Sequence, residues 1–525
     1  MLLFLLLSAA PLAYALVRRA RPLPLPDPLP LTESERRSRV VQGVNGPVEL
    51  PPLDTIYYFD QLIDHNDASK GTFQQRYWMN WEWYALGGPV VLATPGESDA
   101  SNFAGYVTNR SIIGTIAQQE HGASVLFEHR FFGASNPYPD LSVESLRMLT
   151  LQQSIDDVEY FVKNVQLPMP GSQAVASNVP WVFVGGSYSG ALTAWTMVNK
   201  PGLFQAGYAT SAVVQTIADF WQYFEPIREY MPQNCSADVQ AVVARFDDLA
   251  QNATAFDALK AEFGMADVQH ADDVTSALRG PLSAWQALKP TTRPGAPFFQ
   301  FCDALEVKDG QNAGAEGWGL DYAVSAWGAW FKDVYLPESC GPIPYSKCLG
   351  SYDATDAYYT DISVGNAERA WFWLVCNEVG WFQDTAPDGH PTLVSRLLHP
   401  SNQELRQCQL MFPEAFPSAP PLAPIRTTNT RYSGWDLDVQ NIFFANGQRD
   451  PWRDATVSAD GIAPAHISAT HIGVHDGVHV VDLVTANNID PTVRAVQEQG
   501  LALVKGWLAG ATPGGRGVRG VVGRR

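Results

Sequence analysis

The sequence predicts an α/β fold built on a parallel sheet, with a helical segment inserted into it. Three observations carry this expectation. Short, continuously apolar runs alternate with longer amphipathic stretches, as strands buried on both faces and their crossover helices do. One such run passes directly into Gly185-Gly186-Ser187-Tyr188-Ser189-Gly190 and then into a helix-forming stretch. Between about residues 215 and 430 the texture becomes helix-rich and Trp-rich and holds every cysteine, after which a strand-like run returns.

The elements follow in chain order. Pro89-Val90-Val91-Leu92-Ala93-Thr94 and Ala123-Ser124-Val125-Leu126-Phe127 read as buried strands. From Leu151 to Val165 the residues Leu151, Ile155, Val158, Phe161, Val162 and Val165 recur at helical spacing, and Trp181-Val182-Phe183-Val184 is strand-like again. Strand, helix and strand in that order argue for a parallel sheet. Asn441-Ile442-Phe443-Phe444 resumes it, and Val493, Val496, Val504 and Leu508 share one face of a closing helix. The sheet domain is therefore expected over 46–214 and 431–509, and a helical cap over 215–430.

The 525 residues are 46% hydrophobic and 17% charged, enough to bury a large core in one or two domains. With 54 acidic and 35 basic side chains the formal charge is −19, which opposes attraction to nucleic acid and to anionic lipid. The apolar run Met1–Leu7 leads to Ala13-Tyr14-Ala15, so residues 1–15 read as a signal peptide; the run is shorter than the roughly 20 residues that span a bilayer. Residues 16–45, with a Pro-Leu repeat and Arg36-Arg37, read as a leader or propeptide-like segment outside the fold, and 510–525 as a disordered Gly- and Arg-rich tail. Sequons stand at Asn109, Asn234 and Asn252. The expectation is a soluble glycoprotein, secreted or held in a vacuolar or lysosome-like compartment and free of the membrane once the signal is removed. Cys235, Cys302, Cys340, Cys348, Cys376 and Cys408 make an even set, consistent with up to three disulfides whose pairing the sequence does not choose. None has the short spacing of a zinc knuckle.

The strand–turn–helix around Ser187 has the form of a nucleophile elbow, in which the positions two before and two after the serine must be small. They are Gly185 and Ser189, the second standing where glycine is usual. A serine nucleophile needs a histidine to take its proton and a carboxylate to orient that histidine, and in α/β-hydrolases the chain order is serine, acid, histidine. Past the returning strand, Asp450 lies on a turn, with Asp454 as a neighbouring alternative; downstream stand His471, His475 and His479. Chain order leaves the histidine open. The four-residue spacing of His475 and His479 is that of a metal pair, but no Glu follows His475 and the surrounding glycines disfavour a helix, so neither metal nor cofactor is expected.

Three segments, Gly185-Gly186-Ser187-Tyr188-Ser189-Gly190-Ala191-Leu192-Thr193-Ala194-Trp195, Asn446-Gly447-Gln448 running on to Asp450-Pro451-Trp452-Arg453-Asp454, and Gly477, His479, Asp482 and Leu483, together resemble the proline-specific serine peptidases that include lysosomal Pro-X carboxypeptidase and dipeptidyl peptidase II, and most closely the fungal secreted acid prolyl endopeptidases. Matches at Asp64-His65, Phe73–Trp78, Thr94–Glu97, Glu128-His129-Arg130 and Ser363–Ala367 extend the resemblance over roughly 55–485. It implies an α/β-hydrolase core with an inserted helical cap, selects His479, and maps the triad onto Ser187, Asp450 and His479. It also implies cleavage of proline-containing peptides or proteins after proline, possibly after alanine, at acid pH. Endopeptidase and exopeptidase action both remain open, with an esterase as the more remote alternative.

Such a fold needs an oxyanion hole, here the Tyr188 N–H and a second from Gly96 or Glu97. Glu97 could instead be structural or contact a substrate amine. Glu128-His129-Arg130 reads as architectural, since charges at a buried strand end must be paired. Trp452 is the expected wall of a proline pocket; Trp318, Trp327, Trp330, Trp371, Trp373 and Trp381 read first as core.

Overall fold

The computed structural model describes residues 28–43, 46–169, 179–399, 403–420 and 422–510. The signal segment 1–15 and the tail beyond Gly510 lie outside the described residues. The strands are β1 (Arg39–Gly43), β2 (Gly46–Leu50), β3 (Tyr57–Leu62), β4 (Thr72–Asn80), β5 (Val90–Ala93), β6 (Ala123–Phe127), β7 (Trp181–Gly186), β8 (Ala206–Thr210), β9 (Ile217–Asp219), β10 (Val307–Lys308), β11 (Gln311–Asn312), β12 (Gly380–Phe382), β13 (Ile442–Gly447) and β14 (Ile472–His475). Eight form one sheet in the order β14-β13-β8-β7-β5-β6-β4-β3. Pairing is parallel from β14 to β6 and antiparallel at β6/β4 and β4/β3.

The central strands β5, β6 and β7 are buried at every position, as unbroken apolar runs require of strands covered on both faces. One face carries the helices Leu151–Asn164 and Tyr188–Asn199, which bury Ile155, Phe161, Leu192 and Trp195. The other carries Ile112–Gln119 and Pro491–Ala509, which bury Ile112, Ile116, Val496 and Val504. Their starts are set locally: Thr150 caps Gln153 N, and Asp490 caps Thr492 N and Val493 N ahead of a proline at the first helical position. This is the α/β-hydrolase architecture the sequence predicts.

The insertion runs between β8 and β13. It is mainly helical, with long helices at Gln233–Leu249, Pro297–Glu306 and Leu320–Trp330, and holds the parallel pair β9/β12 and the antiparallel pair β10/β11. All six cysteines pair inside it, as Cys235–Cys302, Cys340–Cys348 and Cys376–Cys408.

The leader-like segment does not stand apart from the fold in its described part. Leu31 is buried, and Leu29 O accepts from Gly105 N at 3.0 Å, an approach so close that a Cβ on Gly105 would lie 2.1 Å from that oxygen. Arg110 reaches Pro30 O at 2.9 Å and Glu35 at 2.8 Å. The Pro-Leu repeat itself lies outside the described residues. Among the described residues, no helix is long and apolar enough to cross a membrane.

Candidate active site

Strand β7 ends at Gly186 and the chain turns through Ser187 at φ 59°, ψ −126°. A non-glycine residue there carries backbone strain of about 1–3 kcal/mol. The turn is held by Ser187 N–H donating to Thr210 O at 2.9 Å and by Ala191 N–H donating to Ser187 O at 2.9 Å. The need for small neighbours is visible at Gly185, where a Cβ would lie 2.1 Å from Ser189 O and 2.6 Å from Thr193 Oγ1. Ser189 uses its departure from glycine: its hydroxyl donates to Thr94 O at 2.6 Å and ties the loop after β5 to the elbow.

His479 stands between the other two members of the triad expected from sequence. Its Nε2 is 2.8 Å from Ser187 Oγ, and its Nδ1 is 2.9 Å from each oxygen of Asp450. A carboxylate can only accept, so Nδ1 carries the hydrogen and Nε2 offers its lone pair to the serine hydroxyl. Ser187 and Asp450 are fully buried and His479 nearly so. Asp450 Oδ1 also accepts from Trp452 N at 2.9 Å. Strained backbone recurs around the constellation, at Ser211 (φ 44°) and Val480 (φ 48°), which are joined by Val480 N–H donating to Ser211 Oγ at 3.0 Å.

The alternatives have other partners. Asp454 accepts from Asp460 N at 2.8 Å. His475 puts Nε2 3.3 Å from Asp482 Oδ1, and Asp482 in turn takes the hydroxyls of Tyr208 and Thr210, so this histidine braces the sheet. His471 packs its ring on Trp507. Among the described residues no cluster of three or more His, Cys, Asp or Glu could hold a metal ion.

Tyr188 opens the elbow helix, where its N–H has no intrahelical acceptor. Gly96, at φ 74°, packs against it closely enough that a Cβ would sit 3.4 Å from Tyr188 Cδ1, but its own N–H is donated to Thr94 Oγ1 at 3.2 Å. Glu97 is buried, its Oε1 meets no hydrogen-bond partner, and burial raises its carboxyl well above the usual range.

A family model for Serine carboxypeptidase S28 matches residues 61–499, a span that contains Ser187, Asp450 and His479. The chain belongs to this family. Serine protease vicPa of Bipolaris victoriae is 35% identical to it over 88% of this chain and 92% of its own length. A probable extracellular serine carboxypeptidase of Arthroderma benhamiae is 29% identical, covering 91% and 70%, and the thymus-specific serine protease of Homo sapiens is 24% identical over 87% of each chain. It is accordingly an S28 serine peptidase on an α/β-hydrolase fold.

In this S28 peptidase the cap brings aromatic rings to the elbow that sequence reading assigned to core. Trp452 lies 6.1 Å from His479 between ring centroids, Trp381 lies 6.0 Å from Trp452, Trp371 lies 6.0 Å from Trp381, and Trp371 lies 5.2 Å from Tyr188. The circuit closes on both sides of Ser187. Trp381 is held at φ 55° and donates its indole N–H to Gln215 O at 2.8 Å. Trp452 donates to Gln286 Oε1 at 3.0 Å, an oxygen that also accepts from Tyr223 at 3.1 Å. Gln286 was not legible as a site residue, because a lone glutamine in a cap segment carries no pattern. Of the other tryptophans that read first as core, Trp327 and Trp330 pack on Phe301, Trp373 packs on Phe412 and donates its indole N–H to Leu149 O at 3.1 Å, and Trp318 is partly exposed.

Of the sequons, Asn109 and Asn252 are exposed, whereas Asn234 is half-buried with its amide nitrogen donating to Glu306 Oε2 at 2.6 Å. Glu128-His129-Arg130 is paired as a buried strand end demands. Arg76 donates to both oxygens of Glu128, at 2.8 and 2.6 Å, and Arg130 donates to both oxygens of Asp157, at 2.7 and 2.5 Å.

Proposed function

We propose that the chain is a secreted, acid-active endopeptidase that hydrolyses peptide bonds on the carboxyl side of proline or alanine. The observation that carries the chemistry is the Ser187–His479–Asp450 hydrogen-bond chain. His479 Nε2 takes the hydroxyl proton as Ser187 Oγ attacks the carbonyl carbon; the carbonyl oxygen becomes an oxyanion facing Tyr188 N–H and the Gly96–Glu97 loop. His479 then gives the proton to the leaving nitrogen as the C–N bond breaks, and water repeats the cycle on the acyl-enzyme. Asp450 keeps the imidazole in the required tautomer and stabilises its cation. The ring circuit of Tyr188, Trp371, Trp381 and Trp452 supports proline selection, because a compact pyrrolidine packs on aromatic faces that exclude water.

The test is mass-spectrometric mapping of cleavage in proline-containing peptides blocked at both ends, across pH, with the Ser187→Ala variant as control. Internal cuts after proline that vanish in the variant are expected. Trimming of free-ended peptides alone would make the protein an exopeptidase. Trp381→Ala is expected to raise KM for proline peptides roughly ten-fold or more while hydrolysis of a small acetate ester changes little; equal losses on both substrates would remove Trp381 from the specificity pocket.

A further inference from the structure

His129 lies just past the end of β6, almost fully buried. Its Nδ1 is 2.8 Å from Arg130 O, which can only accept, so Nδ1 carries the hydrogen and Nε2 is left with a lone pair. That lone pair faces the Tyr188 hydroxyl at 3.0 Å, which must therefore be the donor. The backbone oxygen that fixes the tautomer is itself fixed. Besides holding Asp157, the Arg130 guanidinium donates to Ile63 O at 3.2 Å, Met148 O at 2.9 Å and Leu62 O at 3.1 Å. Tyr188 directly follows the nucleophile, and its ring is clamped between His129 at 5.6 Å and Trp371 at 5.2 Å.

We propose that His129 is a positioning residue: by accepting the Tyr188 hydroxyl it fixes the residue whose backbone N–H faces the developing oxyanion. The inference rests on the role given above to Tyr188 N–H. It gives a purpose to the Glu128-His129-Arg130 segment beyond pairing charges, since the strand end becomes an anchor for the first turn of the elbow helix. It also sets a limit at acid pH, because an imidazolium has no lone pair to offer. Facing His129 and Tyr188 are Arg130 from the same strand end, Asp157 and Ser154 from the helix Leu151–Asn164, Glu97 from the loop after β5, and Glu378 and Tyr432 from the cap. Burial holds His129 down to about 4, so the bond survives through mildly acid conditions and fails below them.

The test is the rate at which a fluorophosphonate labels Ser187 in the full chain, a readout that uses nucleophile and oxyanion site without any peptide specificity. Tyr188→Phe and His129→Phe are each expected to slow labelling on the order of ten-fold, and the double variant to be no slower than either single one. His129→Gln, which keeps an acceptor that cannot titrate, is expected to label near the wild-type rate at pH 6 and to lose the fall that begins near about 4 in the wild type. Melting curves at each pH establish that the labelled protein is folded, and Tyr188→Phe with His129→Gln suffice where His129→Phe does not fold. Wild-type rates in folded Tyr188→Phe, multiplying effects in the double variant, or an unmoved acid fall in His129→Gln would each overturn the proposal. A wild-type chain that does not label at all would instead strike the serine-nucleophile reading on which it rests.

Discussion

Ser187→Ala is expected to lower kcat on a peptide substrate by roughly 10⁶-fold with little change in KM or melting temperature. The hydroxyl is fully buried, bonded only within the constellation, and removing one oxygen leaves an alanine that the elbow geometry strains no more than serine. Asp450→Asn is expected to cost about 10⁴-fold, because an amide at Oδ distance from His479 Nδ1 can present a donor and turn the imidazole into the wrong tautomer. Combining Ser187→Ala with His479→Ala should cost little beyond the first change, since neither group acts without the other. Single-turnover kinetics on a blocked proline peptide measure all three. A Ser187→Ala variant that retains more than about a hundredth of the activity would place the nucleophile elsewhere.

The melting temperature is expected to rise as pH is lowered from about 8 to about 5, the reverse of a protein held together by surface ion pairs. Several buried carboxyls are held above the usual carboxylate range. Burial raises Asp384 to about 8 and Glu378 to about 7; burial together with the neighbouring Asp238 raises Glu306 to about 7; and Glu97 is raised well above its ordinary value. A group whose folded pKa lies above its unfolded value contributes stability that is complete below the unfolded value and is lost as pH rises through the folded one. Here that window runs from about 4 to about 8. Each unit of pKa is worth about 1.4 kcal/mol before solvent screening, so the set amounts to several kcal/mol and a shift of several degrees.

His129 works against this trend. Its depressed value means that neutral His129 contributes stability present above 6.5 and lost as pH falls toward about 4. Asp157, which Arg130 holds below the usual range despite its burial, loses its contribution at lower pH still. The stability curve should therefore peak in mildly acid solution. Melts from pH 3 to 8 check it, and Asp384→Asn should flatten the neutral side. A maximum at pH 7 to 8 would contradict the upward shift of these buried carboxyls.

The parts of the fold that sequence predicts are those whose physics is local. The runs that became β5, β6 and β7 are apolar throughout because both faces are covered, and the helices Leu151–Asn164 and Pro491–Ala509 declare themselves by spacing and caps. Strand β8, Ala206–Thr210, escaped notice because its five residues are mostly small, although it is central and buried at every position. Strands β3 and β4 pair antiparallel at the sheet edge, and β3 mixes half-buried with exposed positions, which weakens its apolar signal. At the site, Ser187 follows a strand and declares itself by its turn, and chain order brings the acid to the turn after β13, where Asp450 had Asp454 as a neighbouring alternative. His479 could not be told from His475 without the resemblance, because what separates them is which carboxylate each meets in three dimensions. The disulfide pairing, the Trp371–Trp381 wall and Gln286 depend on how the cap folds onto the core, and no short-range pattern encodes that contact.

The placement of the cap inside the sheet has a consequence for biosynthesis. Neighbouring strands β8 and β13 end and begin at Thr210 and Ile442, and the 292 residues from Ser187 to His479 include the whole insertion. A ribosome that has delivered the elbow still has the cap, then the acid, then the base to make. On the proposed triad, a nascent chain that has made Ser187 but not His479 still lacks its base, so peptidase activity is expected only once nearly the whole chain has been made.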